Sequence, residues 1–316
     1  ALKTAGYTTG HFGKWHLGSV RKQSPANPGN NGFDHFVSAP NFYDNDAVMS
    51  VDGKAVPMKG ESSFIAVDAA LEWMKEALKG NAPIFSVIWF GSPHSPHIAA
   101  KEDAALYADQ EKKVQEFLGE ITGMDRAFGK LRDSLDEMGI RDNTILWYTS
   151  DNGGLRNIGS TGGRDYKGKV YDGGLLVPAI LEWPAKIPAH RITNQRCVTS
   201  DIYPTLLEIA GVKMPNQPEL DGISLMPVIE GKDIPRTKSL GFWDTIAPGI
   251  GTRADLWMAE LLEAQKKGED LPPHPASAAA ADLPDPKWSD EQFPGHSAWI
   301  EGDWKLHRPW KRKISH

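Results

Sequence analysis

The sequence predicts an α/β fold: a mostly parallel central sheet flanked by helices, with part of a small antiparallel β subdomain towards the carboxyl end. Three observations lead there. Two long segments carry apolar residues at steps of three and four, which marks one buried face of a helix. Between and after them lie short apolar runs rich in β-branched and aromatic residues, suited to strands covered on both faces. The two kinds of segment alternate along the chain, as in a parallel sheet with helical crossovers.

The elements follow in order. From Ser63 to Lys79, residues Phe64, Val67, Leu71, Met74 and Leu78 share a face, with Ser62 or Ser63 placed to cap the start and Gly80 the end. Pro83 to Phe90 reads as a buried strand. A longer helix covers about Lys112 to Met138, through Phe117, Ile121, Met124, Phe128, Leu131 and Leu135, and Gly139 ends it. Asn143 to Thr149 reads as a second buried strand and Leu175 to Leu181 as a third. A further helix follows Asp201 through Tyr203, Leu206, Leu207 and Ile209 and stops at Gly211. Residues 1–236 therefore read as one α/β domain. Beyond it, 237–296 is rich in Pro, Ala and charge and is expected to be an irregular insertion. Residues 297–316 begin the antiparallel subdomain, with a hairpin turning at Gly302-Asp303.

Composition narrows the function classes. Hydrophobic residues at 40% and charged residues at 24% describe a globular chain of 316 residues. The net charge of −6 and the lack of a basic block argue against a nucleic-acid partner. The basic carboxyl end (Lys305, Arg308, Lys311, Arg312, Lys313) reads as a solvated tail. Cys197 is the sole cysteine, so no disulfide forms within the chain, and it reads as a core thiol. No apolar run reaches the roughly 18 residues of a membrane helix. Ala1-Leu2-Lys3-Thr4-Ala5-Gly6 reads like the tail of a helix, so further protein is expected upstream.

Four polar clusters carry the chemistry. In Gly13-Lys14-Trp15-His16-Leu17-Gly18, a Lys and a His two apart can both face an anion, or both be ordinary turn residues. His94-Ser95-Pro96-His97 follows the first strand; His94 can donate to an oxyanion or protonate a leaving group, or simply bond to backbone, and His97 is the weaker candidate. Asp151-Asn152-Gly153-Gly154 follows the second strand and offers hard oxygen ligands for Ca²⁺ or Mg²⁺, or an Asx turn. Lys167-Gly168, ahead of Tyr171-Asp172-Gly173-Gly174, offers a Lys for a tetrahedral anion, or a solvated Lys. Together they fit transfer of a sulfuryl or phosphoryl group, where charge stabilisation and positioning dominate.

These stretches also resemble a known family, the type I sulfatases of the alkaline phosphatase superfamily. Leu2 to Gly18 is close to the second sulfatase signature, and the likeness continues through His94-x-Pro96, Asp151-Asn152-Gly153, Lys167-Gly168, Asp201-Ile202-Tyr203-Pro204-Thr205-Leu206, Asp221-Gly222-Ile223-Ser224-Leu225 and Gly302-Asp303-Trp304-Lys305-Leu306. The resemblance implies that Asp151 and Asn152 are metal ligands, with calcium the usual ion and magnesium the alternative. It implies that Lys14 and His16 contact the nucleophile and the sulfate, that His94 contacts the sulfate and protonates the leaving oxygen, and that Lys167 binds a sulfate oxygen. It further implies a formylglycine nucleophile installed by dedicated machinery, export to the periplasm or outside, and a sulfated carbohydrate or aryl sulfate as substrate. The family's formylglycine motif, Cys or Ser followed by x-Pro-x-Arg, is absent from these 316 residues, as is the family's amino-terminal acidic pair. Both are expected upstream, and this chain alone is expected to be inactive. A phosphodiesterase or phosphonate hydrolase of the same superfamily is the alternative enzyme; a non-catalytic binder of sulfated glycans is the alternative without turnover. Trp243, Trp257, Trp288 and Trp299 read as core, or as lining for a sugar cleft.

Overall fold

The computed structural model describes residues 1–159, 161–244, 252–274 and 295–309. In chain order the elements are β1 (Thr8–Lys14), β2 (His35–Ala39), β3 (Val48–Val51), β4 (Lys54–Pro57), α1 (Ser62–Ala77), β5 (Ile84–Trp89), α2 (Lys101–Ala105), α3 (Lys112–Glu137) and β6 (Leu146–Thr149). There follow α4 (Asp172–Leu175), β7 (Ala179–Glu182), α5 (Ile202–Ala210), α6 (Met226–Ile229), β8 (Leu240–Trp243), α7 (Ala254–Lys266), β9 (Ser297–Glu301) and β10 (Trp304–Arg308). They fall into two compact units. The first holds residues 2–138 and 252–274; the second holds residue 1, residues 139–244 and residues 295–309.

The first unit is built on a five-stranded sheet in the order β4-β3-β2-β1-β5. Its centre is parallel, β1 pairing with β2 and β5, and the β3–β4 hairpin extends it antiparallel. Helix α1 lies against β1 and β5, and α3 lies against α1. The periodic face of α1 is buried at Val67, Leu71 and Met74, as its spacing requires. Its cap is Glu61, not a serine: the carboxylate accepts the N–H groups of Ser63 at 2.8 Å and Phe64 at 3.0 Å. A carboxylate also suits the positive end of the helix dipole, and the serines fall inside the first turn. Strand β5 is half-buried rather than fully covered, because it lies at the edge of the sheet.

Part of the stretch expected to be irregular is ordered: it contains β8 and the 13-residue helix α7. Ala254, Met258, Leu261 and Ala264 keep a helical step inside a Pro- and charge-rich surrounding that masks it. Met258 and Leu261 pack with Trp15, Val20, Phe36 and Ala55 in one core cluster. Gln265 completes the hairpin edge, accepting from Ala55 N–H at 2.8 Å and donating to Gly53 O at 3.0 Å.

In the second unit β6 and β7 pair antiparallel. The expected strand from Leu175 to Leu181 is only half a strand: residues 172–175 turn into α4, and β7 starts at Ala179. The cause is backbone packing at Gly173 and Gly174, where a Cβ would stand about 2 Å from the carbonyl oxygens of Asp165 and Lys169. β6 and β7 are half-buried at most, not buried. The three-stranded sheet β10-β9-β8 is antiparallel, and its hairpin turns at Gly302-Asp303 as expected. Trp243 and Trp299 stand on its exposed face, opposite buried Leu240 and Ala298, and so are not core. Trp257 stacks on His274 at 3.7 Å; Trp288 lies outside the described residues. Cys197 is exposed, not a core thiol, because no helix or strand covers residues 183–198. Lys305 is not a solvated tail residue but pairs with Asp172 at 2.6 Å; Lys311, Arg312 and Lys313 lie outside the described residues. No helix among the described residues is long and apolar enough to cross a membrane.

Candidate active site

Lys14 is the last residue of β1, and His16 lies two residues on. Between them Trp15 turns inward: it is buried, its backbone N–H bonds Ala39 O at 2.9 Å and its indole N–H bonds Ala26 O at 2.7 Å. The His16 N–H bonds Pro40 O at 3.1 Å, in a left-handed backbone conformation (φ 53°). The turn is thus pinned along the segment that continues β2, with Lys14 half-buried and His16 exposed.

β5 runs parallel beside β1, with Gly13 opposite Trp89, so the loop after β5 opens at the same carboxyl edge as the Lys14–His16 turn. His94 sits in that loop. Its ring stacks on Phe42 with centroids 4.6 Å apart and an interplanar angle of 10°. Nδ1 is 2.7 Å from Ser95 O. A carbonyl only accepts, so Nδ1 carries the hydrogen and Nε2 becomes the proton-exchanging nitrogen. The segment 39–42 therefore touches both candidates: Ala39 and Pro40 hold the turn, and Phe42 backs the imidazole. His97 does something else. Its buried Nδ1 lies 2.9 Å from Glu120 Oε2 and its ring meets Phe117 edge-on, which fastens the loop to α3.

Under this edge lies His11, a residue that its sequence position did not single out. It is fully buried, 2.8 Å from Ser38 Oγ, with Trp15, Phe33 and Trp89 edge-on around it. Burial lowers its pKa to about 3. The folded protein keeps it neutral, whereas the unfolded chain takes a proton near the ordinary value of 6.5. Its contribution is whole above that value and is lost on acidification, by up to about 1.4 kcal/mol per pH unit between about 6.5 and 3. His11→Gln should therefore unfold with a shallower acid dependence than the parent between pH ~6 and ~4 in urea titrations. Equal slopes would show that His11 is not the titrating group.

The other two clusters meet in the second unit. Asp151 to Gly154 follow β6 directly. Gly153 N–H bonds Gly174 O at 3.0 Å, and Lys167 N–H bonds Gly154 O at 2.8 Å. A Cβ at Gly153 would stand 2.0 Å from Gly173 O, so glycine alone permits this approach. The fold thereby sets Lys167 beside the Asp151-Asn152 pair. Asp151 is exposed, and Asn152 spends its amide N–H₂ on Gly153 O at 3.4 Å, which leaves its oxygen as the donor for a cation. A carboxylate and an amide oxygen on one turn fit a hard divalent ion, as part of a shell of six or more oxygens. Among the described residues no group of three His, Cys, Asp or Glu is arranged to hold a metal by itself.

The family model described as Sulfatase matches residues 1–212. This chain belongs to the sulfatase family. Among curated proteins, this sulfatase chain is 31% identical over 256 residues to the N-acetylgalactosamine-6-sulfatase of Canis lupus familiaris, covering 73% of this chain and 48% of that protein. It is 26% identical over 318 residues to human arylsulfatase A, covering 89% and 61%. The sulfatase chain thus spans about half the length of the curated relatives it matches. A solved structure in complex with its substrate D-glucosamine-2-N,6-O-disulfate superposes with a TM-score of 0.67 at 19% identity, covering all of this chain and 73% of that one. At that identity the likeness is one of fold: a sheet with a parallel centre and flanking helices, plus a small antiparallel sheet.

Proposed function

We propose that the protein containing this chain is a sulfuric ester hydrolase that removes sulfate from a sulfated carbohydrate. The observation that carries the reading is the shared carboxyl edge of β1 and β5, with Lys14 and His16 at the end of β1 and His94 in the loop after β5, in a chain of the sulfatase family. Lys14, His16 and Lys167 offer positive charge and donors to the sulfate oxygens. His94, with Nδ1 engaged by Ser95 O, delivers its proton from Nε2 to the departing oxygen. Asp151 and Asn152 would hold Ca²⁺, or Mg²⁺, which would neutralise charge on the sulfate. In this reading a hydrated formylglycine supplies the attacking hydroxyl. These 316 residues contain no Cys/Ser-x-Pro-x-Arg motif, so this polypeptide alone is inactive. Periplasmic or extracellular location goes with the same reading. The carbohydrate preference is supported by relatives named for N-acetylgalactosamine 6-sulfate and crystallised with a glucosamine disulfate.

The test is sulfate release by the full-length protein, produced together with a formylglycine-generating enzyme, on 6-sulfated N-acetylhexosamines and a matched phosphate diester. Sulfate release is expected, and Lys167→Ala and His94→Ala should each lower kcat/KM roughly a hundredfold. Faster turnover of the phosphate diester, or glycan binding with no turnover, would overturn the reading.

A further inference from the structure

Around Lys167, the second unit gathers cationic and aromatic side chains. The Arg164 guanidinium lies 4.1 Å from the centre of the Tyr171 ring. The His307 imidazole stacks on the same ring, with centroids 4.1 Å apart and an interplanar angle of 18°. Lys305, on the same face of β10 as His307, pairs with Asp172 at 2.6 Å, and Lys169 stands 3.8 Å from Asp244. Those two pairs engage Asp172 and Asp244, while Asp165 follows Arg164 in the loop and Asp151 lies in the turn bonded to Lys167. Arg164 and Lys167, three residues apart on one loop, form no ion pair with a described residue. The loop is fixed: Gly173 N–H bonds Arg164 O at 2.7 Å, and Lys169 N–H bonds Tyr166 O at 3.0 Å. His307 also carries a buried Nδ1 with no hydrogen-bond partner among the described residues. Burial, then the charges of Lys305 and Arg164, hold its imidazole below the ordinary pKa, so it adds no third charge near neutrality.

We propose that Arg164, backed by Tyr171 and His307 and adjacent to Lys167, forms a subsite for a second oxyanion on the same substrate, a further sulfate or a carboxylate of an acidic saccharide. The proposal rests on the sulfatase reading above, which places the scissile sulfate at Lys167. A guanidinium presents a planar fork of donors that a sulfate or a carboxylate can take in two parallel hydrogen bonds. Contact with the Tyr171 ring restrains the guanidinium before the ligand arrives, so less freedom is lost on binding.

The experiment uses the full-length protein, produced without a formylglycine-generating enzyme so that no probe is turned over, in calorimetric titrations with three probes: N-acetylglucosamine 6-sulfate, glucosamine-2-N,6-O-disulfate, and a 6-sulfated disaccharide bearing a uronate. At least one doubly anionic probe should bind about tenfold more tightly than the monosulfate. Arg164→Ala should abolish that advantage and leave the monosulfate affinity unchanged, and Arg164→Lys should retain part of it. Which dianion is preferred tells a second sulfate from a carboxylate. Equal affinity for all three probes, or an Arg164→Ala variant that keeps the preference or weakens every probe alike, would overturn the subsite. Lys167→Ala separates the two readings: monosulfate affinity that survives this change counts against the sulfatase site, whatever Arg164 does. A chain that binds none of the probes overturns both.

Discussion

Replacing Asp201 by alanine is expected to cost about 3–5 kcal/mol of stability, the range for stranding one charge of a buried pair. Asp201 is wholly buried at the start of α5. Both its oxygens are engaged twice. Oδ2 accepts Val198 N–H at 2.8 Å and Arg236 Nη1 at 2.8 Å; Oδ1 accepts Ile223 N–H at 2.8 Å and Arg236 Nη2 at 2.9 Å. One carboxylate thus ties together three segments that are distant in sequence, through a two-pronged contact with a guanidinium that is itself almost fully buried. Removing it leaves Arg236 charged and dry, and leaves two backbone N–H groups without their acceptor. Asp201→Asn keeps the shape but not the charge and should fall between. Arg236→Met in the Asp201→Ala background should recover part of the loss, because the stranded cation is gone. Urea unfolding followed by fluorescence of Trp183 and Trp243, both in the same unit, measures this. A loss under about 1 kcal/mol would show the pair to be ordinary surface electrostatics.

Gly13→Ala is expected to cost about 2–5 kcal/mol, the sum of overpacking and left-handed backbone strain, and, on the proposed function, to weaken sulfate binding at Lys14 and His16 as well. Gly13 has φ +96°, in the left-handed region that favours glycine. An added Cβ would lie 1.9 Å from Trp89 O and 3.0 Å from the Tyr43 hydroxyl. The first atom is backbone of the paired strand β5, so no side-chain rotation relieves the clash; β1 and β5 must part. Lys14 follows immediately, so the same shift moves the turn that the candidate site depends on. The check is a thermal or urea midpoint together with titration by N-acetylglucosamine 6-sulfate. Unchanged stability would mean that the strand ends adjust far more freely than packed backbone normally does.

How much of this was legible in the sequence depends on the range of the interaction concerned. Where a segment's own spacing sets its conformation, the sequence sufficed. The apolar steps of 64–78 and 117–138 fixed α1 and α3 to within a residue or two, and Gly211 ended α5 where its left-handed conformation was needed. The polar clusters at His94 and Asp151 also stood out, because reactive residue types fell after expected strands; those at Lys14 and Lys167 stood out as charged residues beside glycines. The failures were about partners. Glu61 outcompeted two serines for a cap, a matter of which side chain reached the free N–H groups first. Leu175 left the expected strand where Gly173 and Gly174 pack on the carbonyls of Asp165 and Lys169 in the preceding loop. Trp243 and Trp299 look apolar in sequence but stand on the open face of a sheet whose other face is buried. Nothing local foretold that the Lys167 N–H would bond Gly154 O, in the turn that carries Asp151, or that β10 would bring His307 onto Tyr171. The sequence by itself determined which residues carry charge, donors and periodic apolar faces. Only the tertiary structure decided which of them share a site, because burial, strand pairing and the closure of long loops are set by groups far apart along the chain.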